Sequence, residues 1–260
     1  MLGAIIGDIV GSRFEWDNHR SKDFEFMPYD KCFPTDDSIM TLALAKAILI
    51  SKDDYSDLSD NAVSCMQEIG RKYPDCGYGG NFYYWIFSDN PEPYYSFGNG
   101  SAMRVSSAGF DAKMISELIT EVTHNHPEGL KGAEATAVAI YMAKSGKSIL
   151  EIRDYIDEIY YDMNFTLDEI RDSYEFNETC QDTVPQALQA FFESNSFEDA
   201  IRNAISIGGD SDTVAAICGG VAEAYYGIPS DLRKQAITFL DEELLNLLIE
   251  FESKYQPVIT

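Results

Sequence analysis

The sequence predicts an all-α fold, and three observations carry that reading. Apolar residues recur at three- and four-residue spacing along most of the chain, and regular two-residue alternation is hard to find. Hydroxyl and acidic residues stand where helix starts need them. A length of 260 residues with 45% hydrophobic content is enough for a sizeable core. With no Pro/Ser-rich linker, low-complexity tract or internal repeat, residues 1–260 read as a single domain.

The elements follow in order. Leu2 to Val10 is an apolar stretch broken by Asp8, without the basic lead of a targeting segment. Pro34-Thr35-Asp36-Asp37-Ser38 opens the apolar run Ile39 to Ile50. Ala62, Val63, Met66 and Ile69 mark one amphipathic face after Ser59-Asp60; Met114, Ile115, Leu118, Ile119 and Val122 mark another. Ser148 with Glu151, and Thr166 with Glu169, have the spacing in which side chain and backbone cap each other. Thr183 to Phe192, Ser196 to Ser206, the small-residue run Val214 to Ala224, Ser230 to Ile237 and Asp241 to Lys254 complete the series. Met27 to Pro34 and Asp75 to Arg104 are expected to be irregular, the second being dense in Gly, Asn, Pro and aromatics.

Composition bounds the function. A formal charge of −25 argues against binding a nucleic-acid backbone, since no basic stripe is there to replace phosphate counterions. No segment is apolar for long enough to cross a bilayer, and five cysteines without a C-x-x-C pair point to reduced thiols and the cytoplasm.

Two acidic helix starts carry the chemistry: Thr35-Asp36-Asp37-Ser38 and Gly208-Gly209-Asp210-Ser211-Asp212-Thr213. Asp, Ser and Thr are ordinary N-caps, and acids in a first turn meet the positive end of the helix dipole. A cap needs one acceptor, however, and each cluster supplies two carboxylates and a neighbouring hydroxyl. Asp210 and Asp212 would sit about 200° apart on a helix, so they converge only if Asp210 precedes the helix, a turn that Gly208-Gly209 permits. Buried acids of this kind need pairing or a cation. Oxygen-only ligands, Thr35, Asp36, Asp37, Asp210, Asp212 and Thr213, suit Mg²⁺ or Mn²⁺, and four acids can hold two ions about 3.5–4 Å apart. The expectation is a binuclear centre. Zinc fits less well, because His124 and His126 lie outside both clusters. Asp210-Ser211-Asp212-Thr213-Val214 also matches the haloacid-dehalogenase phosphatase signature, but without the preceding strand which that motif requires.

With these residues in place, the chain resembles the ADP-ribosylglycohydrolases. Gly7-Asp8-Ile9-Val10-Gly11-Ser12-Arg13-Phe14-Glu15 resembles the family's N-terminal block, and the two acidic clusters resemble its metal motifs. Gly98-Asn99-Gly100-Ser101-Ala102-Met103-Arg104 resembles its central glycine-rich loop, and Thr123-His124-Asn125-His126 its histidine segment. The resemblance implies a compact orthogonal multi-helix bundle with a central binuclear metal cleft. It also implies a hydrolase that cuts the glycosidic bond of an ADP-ribosylated protein or a small ADP-ribosyl substrate. By residue-wise carry-over the six oxygen ligands hold two Mg²⁺ or Mn²⁺ ions, while Glu15, Asp36 or Asp37 assists proton transfer.

The same resemblance gives Phe97, Gly98, Asn99, Gly100, Ser101, Met103 and His124 to the substrate. The glycine loop's N–H groups are expected to suit a diphosphate, and Phe97 an adenine. Arg104 reads equally as a phosphate clamp or as the partner of a buried acid. Loops short for the family suggest a fairly open cleft. A hydrolase of another ribosyl or nucleotide substrate, and a silent ADP-ribose binder, remain the competing readings; the oligomeric state is not legible.

Overall fold

The computed structural model describes residues 1–109 and 111–255. Fourteen α-helices are found among them: α1 (Leu2–Gly11), α2 (Asp36–Ile50), α3 (Leu58–Gly70), α4 (Gly80–Phe87), α5 (Gly100–Met103), α6 (Ala112–Thr120), α7 (Pro127–Lys144), α8 (Ile149–Ile159), α9 (Leu167–Ile170), α10 (Cys180–Phe192), α11 (Phe197–Ile205), α12 (Ser211–Tyr226), α13 (Ser230–Ala236) and α14 (Glu242–Tyr255). Extended pairing among the described residues amounts to one antiparallel bridge, Gly98 with Thr179. The fold is all-α, as the periodicity predicts.

Helix α12 is the hub. It packs against α1, α7, α10 and α11, with α1 as its most extensive neighbour. Small residues permit that approach: an added Cβ would lie 2.0 Å from the Ala215 carbonyl oxygen at Gly7, and 2.1 Å from the Gly3 carbonyl oxygen at Gly219. Every residue of α1 is buried, including Asp8. The close crossing fixes where Asp8, at mid-helix in α1, and Asp212, in the first turn of α12, come to rest. Gly7→Ala is expected to force these two backbones apart and cost about 3 kcal/mol. Urea unfolding checks this: an unchanged midpoint would show that the crossing relaxes freely.

The capping signals are realised. Ser148 and Thr166 each form the reciprocal pair with Glu151 and Glu169, although the second starts a helix of only four residues. Ser196 caps α11 by accepting from Asp199 N–H. Two features depart from the pattern. Asp75 to Arg104 is not wholly irregular, since it contains α4 and α5; Phe82, Trp85 and Ile86 make a buried three–four stripe inside the Gly- and Asn-rich stretch. Helix α7, the longest, carries no clear amphipathic signal, because its Ala- and Gly-rich central span is buried on most sides. No helix among the described residues is long and apolar enough to cross a membrane.

Candidate active site

Asp36 is the first residue of α2 and Asp37 the second, held by Thr35, whose hydroxyl accepts from Asp37 N–H at 3.4 Å. Asp36 N–H donates to the Cys76 carbonyl at 2.9 Å. On the other side, Gly208 and Gly209 both take φ +73, and any side chain there would collide with Asn18 or Tyr174. That left-handed pair turns the chain so that Asp210 occupies the N-cap of α12 and Asp212 its first turn. The two acids converge as the sequence requires. Across the cleft Thr213 Oγ1 donates to Asp37 Oδ2 at 3.3 Å, joining clusters 176 residues apart.

A carboxylate oxygen from each of Glu15, Asp210 and Asp212 lies within 4.8 Å of the others. Burial raises all of these groups, and repulsion by Asp212 raises Glu15 and Asp210 further. Glu15 is pushed up to about 7, by burial first and then by Asp212, Asp8 and Glu178; a hydrogen bond from the Trp16 side chain opposes the rise. Asp36, Asp37 and Asp210 are held well above the usual carboxylate range by burial and by Asp212, and burial raises Asp212 itself. Asp37 Oδ1 is buried with no hydrogen-bond partner among the described residues. An all-oxygen set with an unpartnered buried carboxylate oxygen and mutually repelling acids fits a hard divalent cation.

Asp8, which pattern reasoning passed over as a break in an apolar stretch, organises this side of the cleft. Its Oδ2 accepts from Thr35 N–H at 2.9 Å and Ser38 N–H at 3.1 Å, its Oδ1 from Thr35 Oγ1 at 2.6 Å, and Ser38 Oγ donates as well. Asp8 thus bolts α1 to the first turn of α2, and is itself raised to about 7, by burial first and then by Asp212. A single charge in the middle of a wholly apolar helix was the available signal.

The cleft encloses about 420 Å³ and is lined by Glu15, Asp36, Asp37, Asp210, Asp212 and Thr213 on one side. Phe97, Gly98, Asn99, Gly100, Met103 and His124 line the other. Two predicted residues do not reach it. Thr35 lies behind the acids with its hydroxyl proton on Asp8. Ser101 is fully buried and donates to the Gly98 and Gly129 carbonyls, so its hydroxyl braces the loop from below.

The glycine loop is also less open than expected. Gly98 N–H donates to Ser96 Oγ at 3.1 Å, Asn99 N–H to the Glu178 carbonyl at 2.7 Å and Ser101 N–H weakly to the Gly98 carbonyl at 3.4 Å. These commitments leave the Gly100 N–H, at the start of α5, as the loop's available backbone donor. Asn99 acts elsewhere: its Nδ2 donates to Asp210 Oδ2 at 2.6 Å and so orients a metal-side carboxylate. Phe97 is 44% exposed beside His126, with ring centroids 5.1 Å apart, and offers a face to a planar ligand. His126 caps α7 by accepting from Glu128 N–H. Phe176, Glu178 and Thr179 also line the cleft, a role with no local sign in the sequence.

This is an all-helical protein with a wholly oxygen-based acidic cleft facing a glycine loop. The ADP-ribosylglycohydrolase family profile matches residues 1–256, and the chain belongs to that family. It is 26% identical over 312 residues to ADP-ribosylhydrolase ARH3 of Homo sapiens, covering 88% of this chain and 84% of that protein. It is 28% identical over 269 residues to ADP-ribosylarginine hydrolase Tri1 of Pseudomonas putida (strain GB-1), covering 88% and 70%. A solved structure titled ADP-ribosylglycohydrolase-related protein complex aligns with a TM-score of 0.69 at 23% identity, over 97% of this chain and 96% of that one.

Proposed function

We propose that the protein is a metal-dependent hydrolase that cleaves the glycosidic bond between ADP-ribose and a modified side chain or related adduct. The observation that carries this reading is the convergence of Glu15, Asp210 and Asp212 beside Asp36 and Asp37, in a cleft whose other wall is the glycine loop. Membership of the family and the printed activities of its relatives support it. Asp36, Asp37, Asp210, Asp212 and Thr213 would hold two Mg²⁺ or Mn²⁺ ions, while Thr35, expected from the sequence as a sixth ligand, braces Asp8 and Asp37 from behind the cleft wall. Such ions supply Lewis-acid orientation of a ribose diol and a more acidic bound water.

The chain's own residues do the rest. Asn99 holds Asp210 in place, and Thr213 ties Asp37 to α12. Glu15 is half-buried on the cleft wall beside Asp210 and Asp212, within reach of a water held there, so its carboxylate takes the proton from the attacking water and passes it to the leaving group. Phe97 receives the adenine, while the Gly100 N–H and His124 receive the diphosphate. The substrate is an ADP-ribosylated protein or a small ADP-ribosyl compound. The five cysteines are all free, in keeping with a reduced, cytoplasmic setting.

Purified protein with Mg²⁺ or Mn²⁺, offered a panel of arginine-, serine- and ester-linked ADP-ribose, is expected to release free ADP-ribose, and ADP-ribose is expected to raise the melting temperature in the presence of metal. At 100 times its dissociation constant a ligand adds about 2.7 kcal/mol of stability. Thermal protection without release would mark a silent binder. Neither response would send the search to other ribosyl or nucleotide substrates.

A further inference from the structure

Arg104, at the C-terminal end of α5, is 1% exposed and forms no ion pair among the described residues. The sequence left open whether it serves a buried acid; among the described residues no acid pairs with it directly, and Asp36 and Asp37 act on it only through space. Its guanidinium lies over the Phe82 ring at 4.7 Å, and its Nη2 is 2.7 Å from Thr123 Oγ1 and 3.1 Å from His124 Nδ1. Its Nε is buried without a partner. A guanidinium only donates. His124 Nδ1 therefore has to accept, because an Nδ1–H would face a guanidinium N–H across 3.1 Å; Thr123 Oγ1, 2.8 Å from the same nitrogen, accepts from Arg104 as well.

We propose that Arg104 is a positioning residue that fixes His124 as the neutral tautomer protonated on Nε2, giving the cleft a permanent N–H donor for a phosphoryl oxygen of the ligand. The ligand assignment rests on the function proposed above; the tautomer does not. His124 is buried and lines the cleft, and its Nε2 lies over the loop, 3.4 Å from where a Cβ on Gly100 would be. The donor therefore lies beside the glycine loop, close to both Gly98 and Gly100. Around the ring stand Arg104, Thr123 and Tyr94, whose ring centroid is 5.8 Å away. Burial, and then Arg104, hold His124 well below the ordinary histidine range, so the ring stays uncharged. Arg104 also borders the cleft, but it is almost wholly buried with its Nη2 held by Thr123 and His124. It acts through the imidazole.

The test is long-range ¹H–¹⁵N spectroscopy of ¹⁵N-histidine protein with Mg²⁺ bound, the signal being assigned by its loss in His124→Gln. The expected result is a protonated Nε2 and a bare Nδ1, unchanged from about pH 5.5 to 8. In Arg104→Met the tautomers are expected to mix and the dissociation constant for ADP-ribose to rise on the order of tenfold, with Arg104→Lys restoring part of both. The losses from Arg104→Met and His124→Gln are expected to be non-additive, since one acts through the other. An Nδ1–H tautomer in the wild-type protein, an unchanged tautomer in Arg104→Met, or additive losses would overturn the proposal. If Arg104→Met does not fold, the wild-type spectrum and Arg104→Lys decide. Failure of the wild-type protein to bind ADP-ribose, with the tautomer as stated, would remove the ligand assignment alone.

Discussion

Asp212→Asn is expected to abolish hydrolysis, by about 10³-fold or more, while making the metal-free protein more stable. The activity loss has the scale seen when one preorganised charge-stabilising group leaves an active site. The stability gain follows from where Asp212 sits. It is the foremost charge raising Asp8, Glu15, Asp36, Asp37 and Asp210, so every other acid of the cleft is more costly to ionise because it is there. An asparagine keeps an oxygen acceptor for Thr213 N–H, which Asp212 Oδ1 now binds at 3.0 Å, and removes the charge alone.

Melting curves should therefore cross. With chelator at pH 8 the variant melts above the wild type; with saturating Mg²⁺ or Mn²⁺ the wild type gains and the variant gains little. A variant that melts lower under both conditions would show that Asp212 serves the fold and not a cation. Retained hydrolysis would remove it from the catalytic centre.

How much of this was legible depended on whether function conflicts with burial at a given position. Asp36, Asp37, Asp210 and Asp212 stood out because two carboxylates at the head of an apolar helix exceed what a cap requires, and the structure gathers them around one cleft. The Gly208-Gly209 turn was legible for the same reason: Asp210 and Asp212 cannot face one point on a continuous helix. Helix α7 was not, because a helix buried on most sides loses the stripe that periodicity detects.

Roles that depend on long-range partners were hidden as well. Asp8 has its meaning only against Thr35 and Ser38. The loop's N–H groups looked free until Ser96 and Glu178 took two of them. Arg104 could be assigned only when the structure put Thr123 and His124, rather than an acid, beside it.

Stripped of metal, the protein is expected to lose stability as pH rises, the reverse of ordinary acid denaturation. Asp8 moves from 3.8 to about 7 and Glu15 from 4.5 to about 7, and Asp36, Asp37, Asp210 and Asp212 move in the same direction. For an acid whose folded value is raised, the native state binds protons more tightly than the unfolded chain. Its favourable contribution is therefore complete below the unfolded value, near pH 4, and is lost progressively up to about pH 7, where Asp8 and Glu15 ionise in the fold.

Between about pH 5.5 and 8 the chelated protein should drop in melting temperature by more than roughly 5 °C, given that 1 kcal/mol is worth about 2–4 °C in a chain near this size. Saturating Mg²⁺ should flatten that slope above neutrality, because a cation answers the same charge that protons answer at low pH, and its binding competes with theirs. The informative quantity is the difference between the two melting profiles. It is expected to grow with pH, and a difference independent of pH would mean that the cation binds away from these carboxylates.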